Sequence, residues 1–228
     1  MYLKSLISCV LLSAVTMGVA NADNASFFNA AENNKVKSIT EQIEQGQNPN
    51  IVNKNGHTPF IVAIREKNRE AAMEIAQSPK FNVNHENSFG ESPLMYAAIT
   101  GDIEMAQLLI KKGAKVNKFG WTPLHYAAST GKSDMAQFLL SKGAIPNPPS
   151  PDGSSPLIMA VKASSIETVK ILLEAGADPK AIDQKRLSAI DYAKQKNLKS
   201  IYDLMIKYDP RTGKNPTNLI MYPQSFHS

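Results

Sequence analysis

Residues 120–128 read Gly120-Trp121-Thr122-Pro123-Leu124-His125-Tyr126-Ala127-Ala128, and residues 139–144 read Leu139-Leu140-Ser141-Lys142-Gly143-Ala144. A Thr before Pro is a helix start: its hydroxyl accepts from an otherwise unpaired backbone N–H, and Pro in the first helical position forfeits no hydrogen bond. A short helix is therefore expected from Pro123. Its Ala127-Ala128 pair permits close approach of neighbouring helices, and Gly131 breaks it. A second helix follows, with Met135, Phe138, Leu139 and Leu140 at helical spacing, and Gly143 closes it in the left-handed position past the last turn.

The unit recurs. Gly56-His57-Thr58-Pro59-Phe60, Gly90-Glu91-Ser92-Pro93-Leu94 and Gly153-Ser154-Ser155-Pro156-Leu157 repeat the motif, and Arg186-Leu187-Ser188-Ala189-Ile190 is a weaker copy. Positions 59, 93, 123, 156 and 189 lie 34, 30, 33 and 33 residues apart, a period that marks a repeat array. Second helices recur with it, through Ile103, Ala106, Leu109 and Ile110 and again through Ile166, Val169, Leu172 and Leu173. The outer units depart as capping repeats do. Residues 25–50 hold two short amphipathic stretches without Thr-Pro, and residues 181–209 keep the helix pair but place Ala189 at the proline position and add Lys194, Lys196 and Lys199. With the central repeats at 55–180, six units result, two of them caps. Two connections are irregular. Only Lys118, Phe119, Gly120 and Trp121 separate Asn117 from Thr122, whereas Pro146, Pro148, Pro149 and Pro151 predict a stiff, extended connection before Pro156.

These stretches resemble the ankyrin repeat, G-x-T-P-L-H-x-A-A followed by L-L-x-x-G-A, across about residues 25–209. The resemblance implies an all-α ankyrin-repeat solenoid of about six helix-turn-helix repeats with short β-hairpin-like fingers. It implies that His125 hydrogen-bonds between neighbouring repeats, and that the position after the motif histidine faces a groove. Here that position holds Val62, Tyr96, Tyr126, Met159 and Tyr192, while Phe89, Phe119 and Trp121 on adjacent fingers extend the row. Aromatic and Met side chains bury large areas at small entropy cost, so these eight are the expected partner-binding residues. Trp121, the single tryptophan, stands first because it adjoins the shortened finger. The alternative is that the tyrosines pack on the next repeat and that Phe89 and Phe119 cover the finger bases.

Residues 1–22 have the three parts of a signal peptide: Lys4, an apolar run from Leu6 to Val19, and the small-x-small site Ala20-Asn21-Ala22. Export to the periplasm is the expectation. The apolar run is too short for a membrane anchor, and its continuation past Cys9 speaks against a lipidated cysteine. Cys9 is the only cysteine, so cleavage would leave a chain without disulfides, stabilised by packing alone. Between Asp23 and Pro179 acidic residues exceed basic ones by one, whereas Lys180 to Lys214 carries five excess positive charges. That basic end is read as a solvated face, with an anionic surface as the alternative. Residues 210–228 form a tail outside the repeat pattern whose apolar cluster, Leu219, Ile220, Met221, Tyr222 and Phe226, is suited to folding back on the array or entering a partner.

No G-x-S-x-G or H-E-x-x-H spacing occurs. His57 and His85 fall in fingers and His227 in the tail, so no shared metal site is expected. The expectation is a protein without catalytic residues, metal or cofactor. It is a monomer when free, binds neither nucleic acid nor membrane stably, and grips a folded periplasmic protein. Among secreted bacterial ankyrin-only proteins, to which the chain is similar, some look like self-protection factors that occlude a cell-wall hydrolase or peptidase. That is the leading expectation, with an envelope scaffold or peroxide-defence adaptor as the alternative.

Overall fold

The computed structural model describes residues 23–148 and 150–208. The expected signal peptide and the tail from 210 to 228 lie outside the described residues. Twelve helices follow one another through the described residues as six consecutive pairs. The pairs are α1 (23–32) with α2 (Val36–Glu44), α3 (Pro59–Arg65) with α4 (Arg69–Gln77), and α5 (Pro93–Thr100) with α6 (Ile103–Lys111). They continue with α7 (Pro123–Ser129) and α8 (Ser133–Ser141), α9 (Pro156–Lys162) and α10 (Ile166–Glu174), and α11 (Ala189–Gln195) and α12 (Lys199–Lys207). None exceeds three turns, so their stability must come from the faces they bury.

The starts follow from the motif. Thr58, Thr122, Ser155 and Ser188 are extended residues whose side chains accept from the backbone N–H three residues on. Pro occupies the first helical turn of α3, α7 and α9. At α7 and α11 the cap is reciprocal, because His125 and Asp191 return a hydrogen bond to the cap residue's own N–H.

The chain forms two compact units. The first runs through Ala97 and takes in Glu104–Lys115; the second comprises Ala98–Ile103 and everything from Val116. In the first, Phe27, Ile39, Phe60, Ile61, Ile75, Leu94, Met95, Met105 and Leu109 are fully buried, with the Phe60 and Phe81 rings 5.1 Å apart. In the second, α7 packs beside α9 and α9 beside α11, while α8 lies beside α10 and α10 beside α12. Leu124, Met135, Leu139, Leu157, Ile158, Val169 and Leu172 fill the space between these two rows.

A second lattice of bonds links successive repeats. Asn117 donates to the Gly143 carbonyl across 2.8 Å and accepts from the Ile145 N–H at 2.9 Å. Asn147 does the same with Gly176 and Asp178, at 2.9 Å each. In the first unit Asn84 bridges Gly113 and Lys115. One carboxamide thus pairs a helix-ending carbonyl and a donor just past it, groups that would otherwise stand unpaired.

The fingers contain no strand among the described residues. Their hairpin character reduces to one backbone bond across the base, Asn53 to His57, Asn87 to Glu91, Ser150 to Ser154 and Asp183 to Leu187, with an isolated bridge between Ile182 and Ser188. The proline-rich finger is not extended throughout, as its sequence suggests. It bends at Asp152, whose carboxylate accepts from the Ser154 N–H at 3.0 Å, and Gly153 takes the left-handed turn at φ +76°.

Candidate partner-binding site

Trp121 immediately precedes the cap of α7, and the shortened finger brings Gly120 against Pro151 of the following finger. The indole stands edge-on to His125, with ring centroids 5.3 Å apart and planes at 77°. His125 is fully buried. Its Nδ1 accepts from the Thr122 N–H at 3.1 Å, so the ring proton is on Nε2, which donates to the Ser154 carbonyl at 3.0 Å. Burial outweighs those carbonyl contacts and holds its pKa down to about 4, leaving the ring neutral.

Beside this pair α7 and α9 leave a mostly apolar hollow of about 230 Å³ lined by Trp121, His125, Tyr126, Ser129 and Met159. Trp121, Tyr126 and Met159 are half-buried, which leaves their edges available. Phe119, one residue before Gly120, is fully exposed.

The other expected residues are placed differently. Val62 and Tyr96 are buried and offer no contact surface. The Tyr96 hydroxyl donates to Glu91 at 2.6 Å and accepts from Asn87 at 3.2 Å, and burial, then the Glu91 bond, pushes its pKa up. Phe89 is exposed on its finger in the first unit. Tyr192 is half-buried and donates to Asp183 at 2.6 Å, which raises its pKa to about 12, while Lys162 rests 4.4 Å from its ring centre. Asp183 thereby serves as an internal acceptor. Desolvation opposes its ionisation, but bonds from Tyr192 and backbone N–H groups hold its carboxyl below the usual range. The structure therefore brings together Trp121, Tyr126 and Met159, leaves Phe119 exposed outside the hollow's lining, and gives Val62 and Tyr96 to the core. Ser129 belongs to the hollow although nothing in the motif marks it; its hydroxyl donates to the Tyr126 carbonyl at 2.9 Å.

Stacked, capped helix pairs with projecting fingers and an apolar hollow define a protein-binding repeat module. The chain belongs to the ankyrin-repeat family, whose model matches three times, over residues 27–119, 75–149 and 116–183. Among curated proteins it is similar to the human transient receptor potential cation channel subfamily A member 1, 33% identical over 86 residues, covering 38% of this chain and 8% of the channel. It is 38% identical over 141 residues to the Caenorhabditis elegans E3 ubiquitin-protein ligase hecd-1, covering 62% of this chain and 4% of the ligase. The chain therefore spans only a small fraction of these relatives. Among solved structures, the ankyrin repeat protein EF0377 aligns with TM-score 0.71 and 27% identity over 82% of this chain and 98% of its own. An ankyrin repeat domain from Acinetobacter baumannii AYE aligns with TM-score 0.69 and 24% identity over 80% and 96%, a likeness of fold.

Proposed function

We propose that this chain is exported to the periplasm and binds one folded partner there, seating an apolar side chain of that partner between Trp121, Tyr126 and Met159. The observation that carries this reading is the hollow, lined by the half-buried Trp121, Tyr126 and Met159, while Phe119, two residues before Trp121, is wholly exposed. Such anchors cluster at the centre of protein interfaces. The proposed partner is a secreted cell-wall hydrolase or peptidase that the chain occludes to protect the cell making it. Filling an active-site cleft requires shape and no chemistry, which suits a surface of this kind. Export rests on the sequence of residues 1–22.

The test is inhibition. Envelope hydrolase activity should fall on adding purified chain and should be unaffected by the Trp121→Ala/Tyr126→Ala variant. Equal inhibition by both, or none by either, contradicts the reading. A scaffold held on anionic surfaces by Lys194, Lys196, Lys199 and Lys207 would instead lose binding steeply between low and physiological salt. In the structure these lysines already have internal contacts: Lys196 with the Lys162 carbonyl, Lys199 with Asp203, and Lys194 and Lys207 over the rings of Tyr202 and Tyr208.

A further inference from the structure

The apolar hollow has a cation at its edge. Met159 lines the hollow, and Lys162 follows it by one turn on the same face of α9. Lys162 also holds the repeat position of Ser129, another lining residue, one unit further on, and α7 packs beside α9. Its side chain runs back towards the start of α9, where the ammonium donates to the Ser154 hydroxyl at 3.3 Å and rests 4.4 Å from the centre of the Tyr192 ring. The carbonyl of that same Ser154 takes the Nε2–H of His125, which lines the hollow. We infer that Lys162 selects the partner: the segment whose apolar anchor sits between Trp121, Tyr126 and Met159 carries an Asp or Glu beside that anchor, and its carboxylate pairs with this ammonium. The inference deepens the reading of the hollow as a docking site and rests on it.

The neighbours of the ammonium leave it in need of an acceptor. It has three N–H donors, and the contact to Ser154 is a long one. Asp152 and Asp183 attract it through space, but other donors already engage their oxygens. Asp152 accepts from the Ser150 and Ser154 hydroxyls and from the Ser154 N–H. Asp183 accepts from the Tyr192 hydroxyl and from the Lys185 and Leu187 N–H groups. These bonds tie both carboxylates into their own fingers. Lys196, which donates to the Lys162 carbonyl, brings a second positive charge to this end of α9. Lys162 is half-buried. A partner that closes over Met159 strips water from it, and a purely apolar contact would leave its charge desolvated without a counter-charge. A carboxylate offsets that cost with a charge-assisted hydrogen bond, whereas a cationic flank is repelled. The ammonium is also held in place beforehand, because the Tyr192 ring beside it is fixed by the 2.6 Å bond to Asp183, so little of its freedom remains to be lost on pairing.

The experiment selects a random peptide library, displayed on phage, against the parent chain, Lys162→Gln, Lys162→Arg and Trp121→Ala/Tyr126→Ala. Parent and Lys162→Arg should enrich an apolar residue flanked by Asp or Glu, Lys162→Gln the apolar residue without the acidic flank, and the double variant neither. One peptide enriched by the parent is then titrated beside its Asp→Asn or Glu→Gln analogue, with occupancy read from the fluorescence of Trp121, the chain's single tryptophan and a wall of the hollow. The parent should bind the amide analogue about tenfold more weakly, and Lys162→Gln should bind the two alike. Apolar peptides with no acidic preference, captured by the parent and lost from the double variant, overturn the inference and leave the hollow reading intact. Equal affinity of the parent for the acidic and amide peptides does the same, and because that exchange is made in the peptide it decides the matter even if Lys162→Gln melts early. A parent that enriches nothing beyond the double variant contradicts the hollow reading itself, and this inference with it.

Discussion

The Nε2–H of His125 donates to the Ser154 carbonyl across 3.0 Å, while its Nδ1 takes the N–H of Thr122. One neutral imidazole thus closes the cap of α7 and fastens the next finger, and it backs Trp121 at the floor of the hollow. Stability and binding surface share this side chain.

His125→Leu should therefore destabilise the fold by about 1–3 kcal/mol, because it leaves the buried Thr122 N–H unpaired and takes from the Ser154 carbonyl one of its two donors, the Ser150 N–H remaining. Urea denaturation of parent and variant at neutral pH measures this. A midpoint within error of the parent's would contradict the assignment.

The same residue sets a pH dependence. Unfolded histidine titrates near 6.5, and the folded group is held at about 4 by burial. Between these values the unfolded chain binds the extra proton. The contribution is therefore complete above about pH 6.5 and is lost as pH falls towards 4, a loss of up to about 3 kcal/mol. His57, also lowered by burial first and then by Arg65, adds the same sign. The depressed carboxyls of Asp152, Asp183 and Asp191 act only at lower pH, within and below the usual carboxylate range. Urea midpoints at successive pH values should fall from 6.5 to 4.5, less steeply in His125→Leu.

The asparagine bridges predict a chemical asymmetry. Asn147→Asp keeps the acceptor for the Asp178 N–H but loses the donor to the Gly176 carbonyl, and it adds a charge facing that oxygen. It should cost about 1–2 kcal/mol, close to the cost of Asn147→Ala, rather than behaving as a conservative change. Differential scanning calorimetry of the two variants decides the matter.

Two glycines with positive φ separate strain from crowding. At Gly143, φ is +86° and a Cβ meets nothing within 4 Å, so Gly143→Ala should cost only about 1 kcal/mol for the left-handed backbone. At Gly153, φ is +76° and a Cβ falls 3.1 Å from the Asp183 Cα and the Gln184 N. Those are backbone atoms of the next finger. Gly153→Ala should cost clearly more, measured as the larger drop in melting temperature.

The array and its helix starts were legible because Thr-Pro, Gly-Ala and the period act locally. The groove row was legible only in part, since a shared motif position does not fix exposure. Tyr96 and Tyr192 follow the same motif position, yet Glu91 draws the first hydroxyl into the core whereas Asp183 holds the second at a half-buried site. Both acceptors lie in fingers, where the sequence pattern offers no register for side-chain pairing. The proline run before Pro156 suggested stiffness, but the turn depends on Asp152 and Gly153, which impose it more strongly than the neighbouring rings oppose it. The asparagine bridges carried a signal that composition masks: Asn50, Asn84, Asn117 and Asn147 recur at the array's own spacing in a chain already rich in asparagine.

The hollow at Trp121 and Tyr126 is the proposed seat of the partner. The most direct measurement uses the parent chain and Trp121→Ala/Tyr126→Ala as parallel baits on one periplasmic extract, quantified by mass spectrometry, with matched thermal melts. A protein should be enriched by the parent and lost from the variant, whose melt stays near the parent's. Equal enrichment by both baits, or a variant that no longer melts cooperatively, would contradict it.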